Sequence, residues 1–230
     1  MRRVLMISEM FPPYNVSGSQ RSFQFAKYLP EYGYLPSVVS GEPEPADPVD
    51  PSLLEQLDGR IRLERIHRLA PKILPMAVAL RAMLRPLVRG IRAGALKPTV
   101  EPAGSTGAAV PYQSKPLLDR MWHTLAWVFS FHIDLALPML QRVVKVHFRD
   151  PVDLVWVTGP SSRSLLVGYW ASRLLRKPLV LDIRDPWTYG SLWLPFSRLS
   201  GALEKKWASL ILAAASRTVF TSPLTMAAMQ

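Results

Sequence analysis

The chain contains 230 residues, 49% of them hydrophobic and 20% charged, which is enough apolar material to bury a core and excludes wholesale disorder. It contains no cysteine, so disulfide scaffolds, cysteine-ligated zinc, iron–sulfur clusters and thiol nucleophiles are excluded. The net charge of +11 is concentrated between residues 60 and 97, where ten basic residues accompany a single acidic residue, Glu64.

The first forty residues predict the opening of a doubly wound α/β domain. An apolar run at residues 4–7 suits a central parallel strand, and a loop containing Gly18 leads into a predicted helix over residues 19–32. Gly33 suits the end of that helix, because glycine accepts the left-handed conformation found there. Residues 35–40 predict the second strand. The order of strand, glycine loop, helix and strand is typical of a Rossmann-like sheet.

The next segment combines a short strand with a basic helix. Residues 42–51 are rich in proline and acidic residues and predict a loop, and residues 60–66 predict a third strand. Residues 73–93 predict an amphipathic helix kinked at Pro86, because proline cannot donate its backbone hydrogen bond. One face of this helix is apolar, and a second face carries four arginines: Arg81, Arg85, Arg89 and Arg92.

Residues 98–116 are low in complexity and predict a long loop. Residues 117–146 predict a second long helical stretch, interrupted at Pro138. The alternation of strands and helices then returns, with strands over residues 153–158, 178–183 and 217–221 and helices over residues 163–175 and 199–215. Ser222 and Pro223 predict the start of one more helix. The chain ends inside that helix, and we expect the sequence to be a fragment.

Targeting and membrane-spanning segments are not predicted. Arg2 and Arg3 precede only four apolar residues, too few for a signal peptide. The uncharged runs at residues 121–133 and 207–216 are shorter than the ~20 residues of a membrane helix. We therefore expect a cytoplasmic protein.

Four segments together resemble the N-terminal half of a GT-B glycosyltransferase of the retaining family-4 type. They are residues 6–13 with Gly18 and Arg21, residues 158–162, residues 177–187, and residues 218–222 with Met226. The third segment, KPLVLDIRDPW, is similar to a stretch common in bacterial members that build cell-surface polysaccharide. The resemblance covers most of the chain outside residues 42–150.

The resemblance implies a doubly wound, mostly parallel Rossmann-like sheet over residues 1–230. A basic insertion over about residues 60–148, helical from about residue 70, interrupts it. It implies the acceptor-binding half of an enzyme that moves a sugar, with retention, from a nucleotide sugar to a lipid- or polysaccharide-linked acceptor. Members of the family hold the donor mainly in a second domain, with two glutamates eight residues apart. No two glutamates in this chain have that spacing, so we expect the C-terminal donor domain to be absent.

The resemblance also assigns candidate site residues to the loops that follow strands. Backbone amides and a guanidinium group there suit a phosphate. The predicted substrate-binding residues are Ser17, Gly18, Ser19, Arg21, Gly159 and Trp187. Many relatives carry a histidine where this chain has Arg184, and an arginine cannot act as a base at neutral pH. We therefore predict Asp185 as the polar catalytic residue and Arg184 as an electrostatic one. The alternative is an Arg184–Asp185 pair that only holds the loop.

We expect no metal and no cofactor beyond the sugar nucleotide. The four histidines, His67, His123, His132 and His147, share no close metal-binding spacing. Asp182 and Asp185 are three residues apart, unlike the Asp-x-Asp that holds a metal in GT-A enzymes.

The basic segment has three interpretations. A basic amphipathic helix binds anionic membrane surfaces, which suits an enzyme acting on lipid-linked acceptors at the cytoplasmic leaflet. It can equally pack on its own domain with a solvated arginine face. A nucleic-acid surface is the third, disfavoured because interleaved aromatic residues and known binding motifs are missing.

Two rival classes of protein remain. One is a non-catalytic α/β binding module recruited to anionic membrane. The other is a nucleotide-dependent oxidoreductase, which requires a G-x-G-x-x-G motif after the first strand. This chain has a single glycine there, Gly18, so the oxidoreductase is disfavoured.

Overall fold

The computed structural model describes residues 1–69, 133–159, 162–185 and 198–229. The predicted basic helix, the loop over residues 98–116 and Trp187 lie outside the described residues. The described elements are β1 (Arg2–Ser8), α1 (Ser17–Tyr28), β2 (Tyr34–Gly41), α2 (Ser52–Glu55), β3 (Arg62–Ile66), α3 (Asp134–Arg149), β4 (Leu154–Gly159), α4 (Ser162–Leu175), β5 (Leu179–Ile183), α5 (Arg198–Ala214), β6 (Arg217–Phe220) and α6 (Pro223–Met229). A 3₁₀ turn, Leu29–Tyr32, continues α1.

The described strands form one six-stranded, wholly parallel sheet in the order β3-β2-β1-β4-β5-β6. The central strand β1 pairs with β2 on one side and with β4 on the other, so Val4 lies opposite both Pro36 and Leu154. The strand order reverses between β1 and β4, and ligands of such sheets bind beyond the carboxyl ends of the strands at that point. The predicted doubly wound α/β fold is confirmed.

Successive residues of β1 point to opposite faces of the sheet. Leu5 and Ile7 join a cluster with α3, α4 and α5 on one face, which we call the α3 face. Val4 and Met6 join a second cluster that includes Trp156 and residues of α1, on what we call the α1 face. Because both faces of β1 are buried, its sequence is a continuous apolar run rather than an alternating one.

Both ends of the predicted insertion range belong to the layered fold. β3 pairs with β2, and α3 contributes to the core of the α3 face. The predicted interruption at Pro138 is wrong, since α3 runs through it. Pro138 has no N–H to give to the carbonyl of Asp134, and that carbonyl accepts instead from the backbone N–H of Leu69 at 2.9 Å. The lost helical hydrogen bond is thereby replaced by a tertiary one.

Two predicted helix ends are confirmed. Gly33 has a φ of 82°, and its N–H donates to the carbonyls of Leu29 and Pro30, the first two residues of the 3₁₀ turn. The Ser222 hydroxyl accepts from the N–H of Thr225 at 3.1 Å, as an N-cap serine does. The helices within the described ranges are all too short or too polar to cross a membrane.

Candidate functional site

The loop between β1 and α1 is held at the carboxyl edge of the sheet by side-chain hydrogen bonds to its carbonyls. The Arg65 guanidinium donates to the carbonyl oxygens of Phe11 at 3.2 Å and Gly41 at 3.1 Å. The Ser19 hydroxyl donates to the carbonyl of Tyr14 at 2.6 Å, and the Tyr14 hydroxyl donates to the carbonyl of Glu42 at 2.9 Å. Because several elements hold the loop, it presents the start of α1 in a fixed position.

The start of α1 meets the end of β5 at Gly18. Arg184 Nη1 donates to the Gly18 carbonyl at 2.6 Å. A Cβ on residue 18 would lie 3.2 Å from Met10 Sδ and 3.5 Å from both terminal nitrogens of Arg184. The distances to Arg184 are ordinary van der Waals contacts, and the shorter one is to the flexible Met10 side chain, so a Cβ at this position would require only a small shift of Met10.

Arg21, one turn further along α1, reaches across to β5. Its Nε and Nη2 donate to both carboxylate oxygens of Asp182 at 2.8–2.9 Å. Asp182 is fully buried, and its Oδ2 also accepts from the Thr158 hydroxyl at 2.8 Å. The hydrogen bonds that Arg21 donates to Asp182 raise the pKa of Arg21. The buried carboxylate of Asp182 therefore holds Arg21 in a bidentate ion pair. Nη1 of Arg21 takes no part in that pair.

Arg184 is half-buried and less fully paired than Arg21. Burial lowers its pKa, although the nearby charges of Asp185 and Asp182 act in the opposite direction. Its Nε is buried without a hydrogen-bond partner among the described residues. Its own backbone is fixed, because the N–H donates to the Gly159 carbonyl at 3.3 Å and the carbonyl accepts from Thr221. Arg184 thus presents a desolvated cation from a rigid backbone.

The structure brings together Gly18, Arg21, Gly159 and Arg184, and it places Asp185 at the exposed rim beside them. Ser17 is exposed at the first position of α1. Ser19 is buried, and its hydroxyl is committed to carbonyls of the preceding loop. The predicted pair of Arg184 and Asp185 is electrostatic, since the hydrogen bond of Arg184 Nη1 goes to Gly18 instead. Trp187, Arg81, Arg85, Arg89 and Arg92 lie outside the described residues.

The sequence analysis considered Asp182 only in disfavouring an Asp-x-Asp metal site, and it assigned no role to the Thr158 side chain. The signal was available in the strand itself, where Asp182 stands between Leu181 and Ile183. A carboxylate within an apolar strand has to be paired, because burying an unpaired charge is prohibitively costly. The partner, Arg21, is 161 residues away and is not identifiable from the pattern.

A second buried charge cluster was also missed. Glu9, directly after β1, pairs with Arg163 at the start of α4 and lies 3.6 Å from Arg68 after β3. Arg163 also lies 3.9 Å from Asp134 at the start of α3. The four residues join three loops at the carboxyl edge, on the α3 side, and only Glu9 lies within a segment that carries the family resemblance.

The Gly18–Arg184–Arg21 cluster is arranged to receive an anion. Helix α1 has no acidic residue in its first turn and no side-chain cap, so its partial positive charge is not neutralised locally. Arg184 adds a full charge at the same point. Groups of three or more acidic, histidine or cysteine side chains placed to hold a metal do not occur in the described ranges.

Comparisons with known proteins give similarities of structure alone. No protein-family model matches the sequence, and no curated protein matches it. Among solved structures, HepE from Anabaena in complex with UDP matches with 15% identity and a TM-score of 0.46, covering 100% of this chain and 40% of that one. UGT2 from Phytolacca americana, complexed with UDP-2-fluoro-glucose and pterostilbene, matches with 13% identity and a TM-score of 0.36, covering 80% and 30%.

Acetoin dehydrogenase from Enterobacter cloacae matches with 14% identity and a TM-score of 0.39, covering 99% of this chain and 97% of that one. This chain therefore spans about 40% of the length of HepE and nearly all of the dehydrogenase. With TM-scores below 0.5, these matches establish neither a family nor an activity for this chain.

Proposed function

We propose that this chain is the acceptor-side lobe of a GT-B glycosyltransferase of the retaining family-4 type, which transfers a sugar from a nucleotide sugar without a metal. The observation that carries the proposal is the meeting of Gly18, Arg21 and Arg184 at the point where the strand order reverses. Open parallel sheets bind their ligands at that point, and two guanidinium groups beside an uncapped helix start suit a phosphate.

Each residue has a distinct part in the proposed transfer. The leaving nucleotide phosphate gains negative charge as the glycosidic bond to it breaks, and positioned cations stabilise that charge. Arg184 lies closest to the start of α1 and supplies the cation. Asp182 holds Arg21 in place, so the guanidinium needs no reorganisation when substrate arrives. Asp185, exposed at the rim, is the proposed polar contact to the transferred sugar.

The test is UDP binding to the 230-residue chain, measured as a shift in thermal unfolding and by calorimetry. A ligand that binds only the folded state raises the unfolding midpoint. Because relatives hold the donor mainly in their second domain, we expect UDP to do so only at high concentration, through its phosphates. We expect Arg184→Gln to weaken this binding about ten-fold or more, because a charged hydrogen bond to phosphate is lost. Arg184→Lys keeps the charge but not the planar guanidinium group. Its affinity for UDP should lie between those of the unsubstituted chain and Arg184→Gln.

Arg173→Gln is the matched control, since it removes the same charge from an exposed position of α4 that is outside the cluster. Its UDP affinity should equal that of the unsubstituted chain. The proposal is contradicted if no nucleotide among UDP, GDP, ADP and CMP shifts the unfolding midpoint, or if Arg184→Gln and Arg173→Gln respond alike.

The acceptor is proposed to be a lipid- or polysaccharide-linked glycan at the cytoplasmic face of the membrane, to which the chain binds peripherally. The support is compositional, namely the ten basic residues against one acid over residues 60–97. Near an anionic surface each basic residue contributes about 1 kcal/mol. We expect the chain to float with vesicles that contain anionic lipid and to remain unbound with neutral vesicles.

A quadruple variant with Arg81, Arg85, Arg89 and Arg92 changed to Gln should lose flotation. The control changes four basic residues elsewhere to Gln, namely Arg2, Lys145, Arg173 and Arg176, and should still float. Equal flotation of the two variants would remove the membrane proposal. Flotation without any nucleotide binding would instead favour the non-catalytic binding module.

A further inference from the structure

The penultimate residue of β3, Arg65, lies at the carboxyl edge of the sheet. Because successive residues of a strand point to opposite faces, Arg65 shares the α1 face with Leu63, while Ile66 is buried in the core of the α3 face. The loop between β1 and α1 lies on the α1 face as well, since Phe11 belongs to the core there. The Arg65 guanidinium therefore meets the loop that leads into the start of α1.

Four oxygen atoms from two segments accept hydrogen bonds from Arg65. Its Nη1 donates to the carbonyl of Phe11 at 3.2 Å, to the carbonyl of Gly41 at 3.1 Å and to the hydroxyl oxygen of Ser40 at 3.2 Å. Its Nη2 donates to the carbonyl of Pro12. A single side chain thus ties the loop after β1 to the end of β2.

The loop depends on side-chain donors because two of its residues, Pro12 and Pro13, have no backbone N–H to contribute. Phe11 and Pro12 are both buried, and a buried carbonyl without a hydrogen-bond partner is costly. Without the donors of Arg65 the loop would therefore have to shift or admit water.

Arg65 is held as a cation without a carboxylate partner in the described part of the chain. Burial lowers its pKa, and the charge of Glu42 acts in the opposite direction without forming an ion pair with it. The Glu42 carboxylate lies instead 3.8 Å from His67. Carbonyl dipoles stabilise a cation but do not cancel its charge, so positive potential remains beside the loop.

The loop connects Arg65 to the Gly18–Arg184–Arg21 cluster. Met10 comes directly before the carbonyls that Arg65 binds, and its own carbonyl accepts from the Ser22 hydroxyl of α1 at 3.2 Å. The thioether of Met10 lies beside Gly18, whose carbonyl accepts from Arg184 at 2.6 Å. Arg65 thus holds the beginning of the loop and Arg184 its end, so a shift at Arg65 is transmitted to the start of α1.

We infer that Arg65 is a positioning residue for the anion-binding site, which acts by fixing the β1–α1 loop so that the start of α1 is preformed for a phosphate. The inference rests on the proposed function and adds a residue that contacts no ligand. The physical reason is that a preformed loop is ordered during folding, so the ligand does not have to order it on binding.

The test is UDP binding, followed by phosphorus NMR of the nucleotide, at a temperature at which every variant is folded. Arg65→Met removes both the donors and the charge, and it should raise the dissociation constant about ten-fold, because UDP then has to order the loop. Arg65→Lys keeps the charge but offers one ammonium group to four acceptors, so its dissociation constant should be intermediate. A purely structural role would lower stability and leave the affinity of the folded chain unchanged.

Arg60→Met is the matched control, because it removes an exposed arginine just before β3 that pairs with Asp58, away from the loop. Its affinity for UDP should equal that of the unsubstituted chain. The inference is overturned if Arg65→Met and Arg60→Met bind UDP alike.

Hydrogen exchange gives a second measurement, which needs no nucleotide and uses the milder variant Arg65→Lys. Amide exchange over residues 10–20 should become faster, since the loop opens more often. Exchange over residues 154–159, in β4, should stay as in the unsubstituted chain, and Arg60→Met should change neither segment. Unchanged exchange over residues 10–20 in Arg65→Lys would also overturn the inference.

Failure of this inference can be told apart from failure of the proposed function. If Arg184→Gln weakens UDP binding and the Arg65 variants do not, the proposed function stands and the role of Arg65 is lost. If no nucleotide binds the unsubstituted chain, the proposed function fails and the role of Arg65 in binding fails with it. Hydrogen exchange then still shows whether Arg65 fixes the loop.

Discussion

The residues at the carboxyl edge of the sheet fall into two groups. Some fix the geometry of the candidate site, and others are available to contact a ligand there. Asp182 is inaccessible to solvent and receives hydrogen bonds from Arg21 and Thr158, so it is a structural anchor. Within the described part of the chain Arg184 has a buried Nε without a hydrogen-bond partner, and its position is held mainly by its backbone. The guanidinium group of Arg21 is therefore fixed more firmly than that of Arg184, although both arginines lie close to Gly18 and Asp182.

Replacing the buried carboxylate tests this division. Asp182→Asn keeps the shape of the side chain but leaves Arg21 opposite a neutral amide. We expect a loss of about 2–3 kcal/mol in the free energy of unfolding, at the low end for a buried pair because Arg21 is 33% exposed. Urea unfolding measures the loss. Asp58→Asn, which breaks an exposed pair with Arg60, should change the midpoint far less. Equal effects would show that Asp182 is no anchor.

Asp134 predicts a dependence on pH. Burial raises its pKa, against the lowering effects of Arg163 and Arg68, and its Oδ1 has no hydrogen-bond partner in the described ranges. Since the folded pKa exceeds the unfolded one, the stabilising contribution is complete below the usual value of 3.8 and is lost as pH rises through the folded pKa.

The variant Asp134→Asn removes this titration while it keeps the size of the side chain. Its unfolding midpoint, compared with that of the unsubstituted chain, should rise steadily from acid to neutral pH. Thermal unfolding at several pH values provides the measurement. A difference that shrinks as the pH rises would mean that the attraction of Arg163 and Arg68 outweighs burial.

At the scale of elements, α4 packs closely against β4 at Gly168. An added Cβ at Gly168 would lie 2.5 Å from Val157 Cγ1 and 2.8 Å from its Cβ, closer than atoms can approach. Val157 is fully buried in the middle of the sheet and has no room to move. The glycine is therefore required for α4 to pack at this distance, which in turn places Arg163 over Glu9 at the edge.

The change Gly168→Ala should lower the free energy of unfolding by about 2 kcal/mol, because the cost of overpacking exceeds the gain of about 1 kcal/mol in helix propensity. The second change Val157→Ala should make the double variant less unstable than the sum of its parts, since it removes the closest clash, with Cγ1, and leaves only the one with Cβ. Gly59→Ala adds the same methyl group in open space and serves as the control. An unchanged Gly168→Ala stability would contradict the proposed close packing.

At the scale of the whole molecule, one strand joins two cores. Met6 and Ile7 are adjacent in β1, both are fully buried, and they belong to the clusters on opposite faces of the sheet. A sheet buried on both faces couples the layers, so loss of packing on either face weakens the same folded unit.

We therefore expect Met6→Ala and Ile7→Ala each to cost about 2–5 kcal/mol and to shift one shared cooperative transition. Circular dichroism during urea unfolding measures this, and Val219→Ala, at a position 38% exposed, should have a small effect. A transition that splits in one variant but not in the other would show that the two faces unfold independently.

Local patterns in the sequence determined the element order, both confirmed helix ends and the parallel, doubly wound class. These features depend only on residues close together in the sequence, so the sequence alone predicts them. They are the apolar runs, the glycine in a left-handed conformation and the serine before a proline. The continuation of α3 through Pro138 depended on the N–H of Leu69, which lies 65 residues before its acceptor Asp134, and local sequence patterns could not predict it.

The carboxyl edge shows the same division. The sequence indicated Gly18, Arg21 and Arg184 as separate loop residues. Only the tertiary structure decided that Arg184 bonds Gly18 across 166 residues, and that Asp182 takes Arg21. Which charged residues pair depends on which distant segments the fold brings into contact. A local sequence pattern therefore cannot predict the partner of a buried charge.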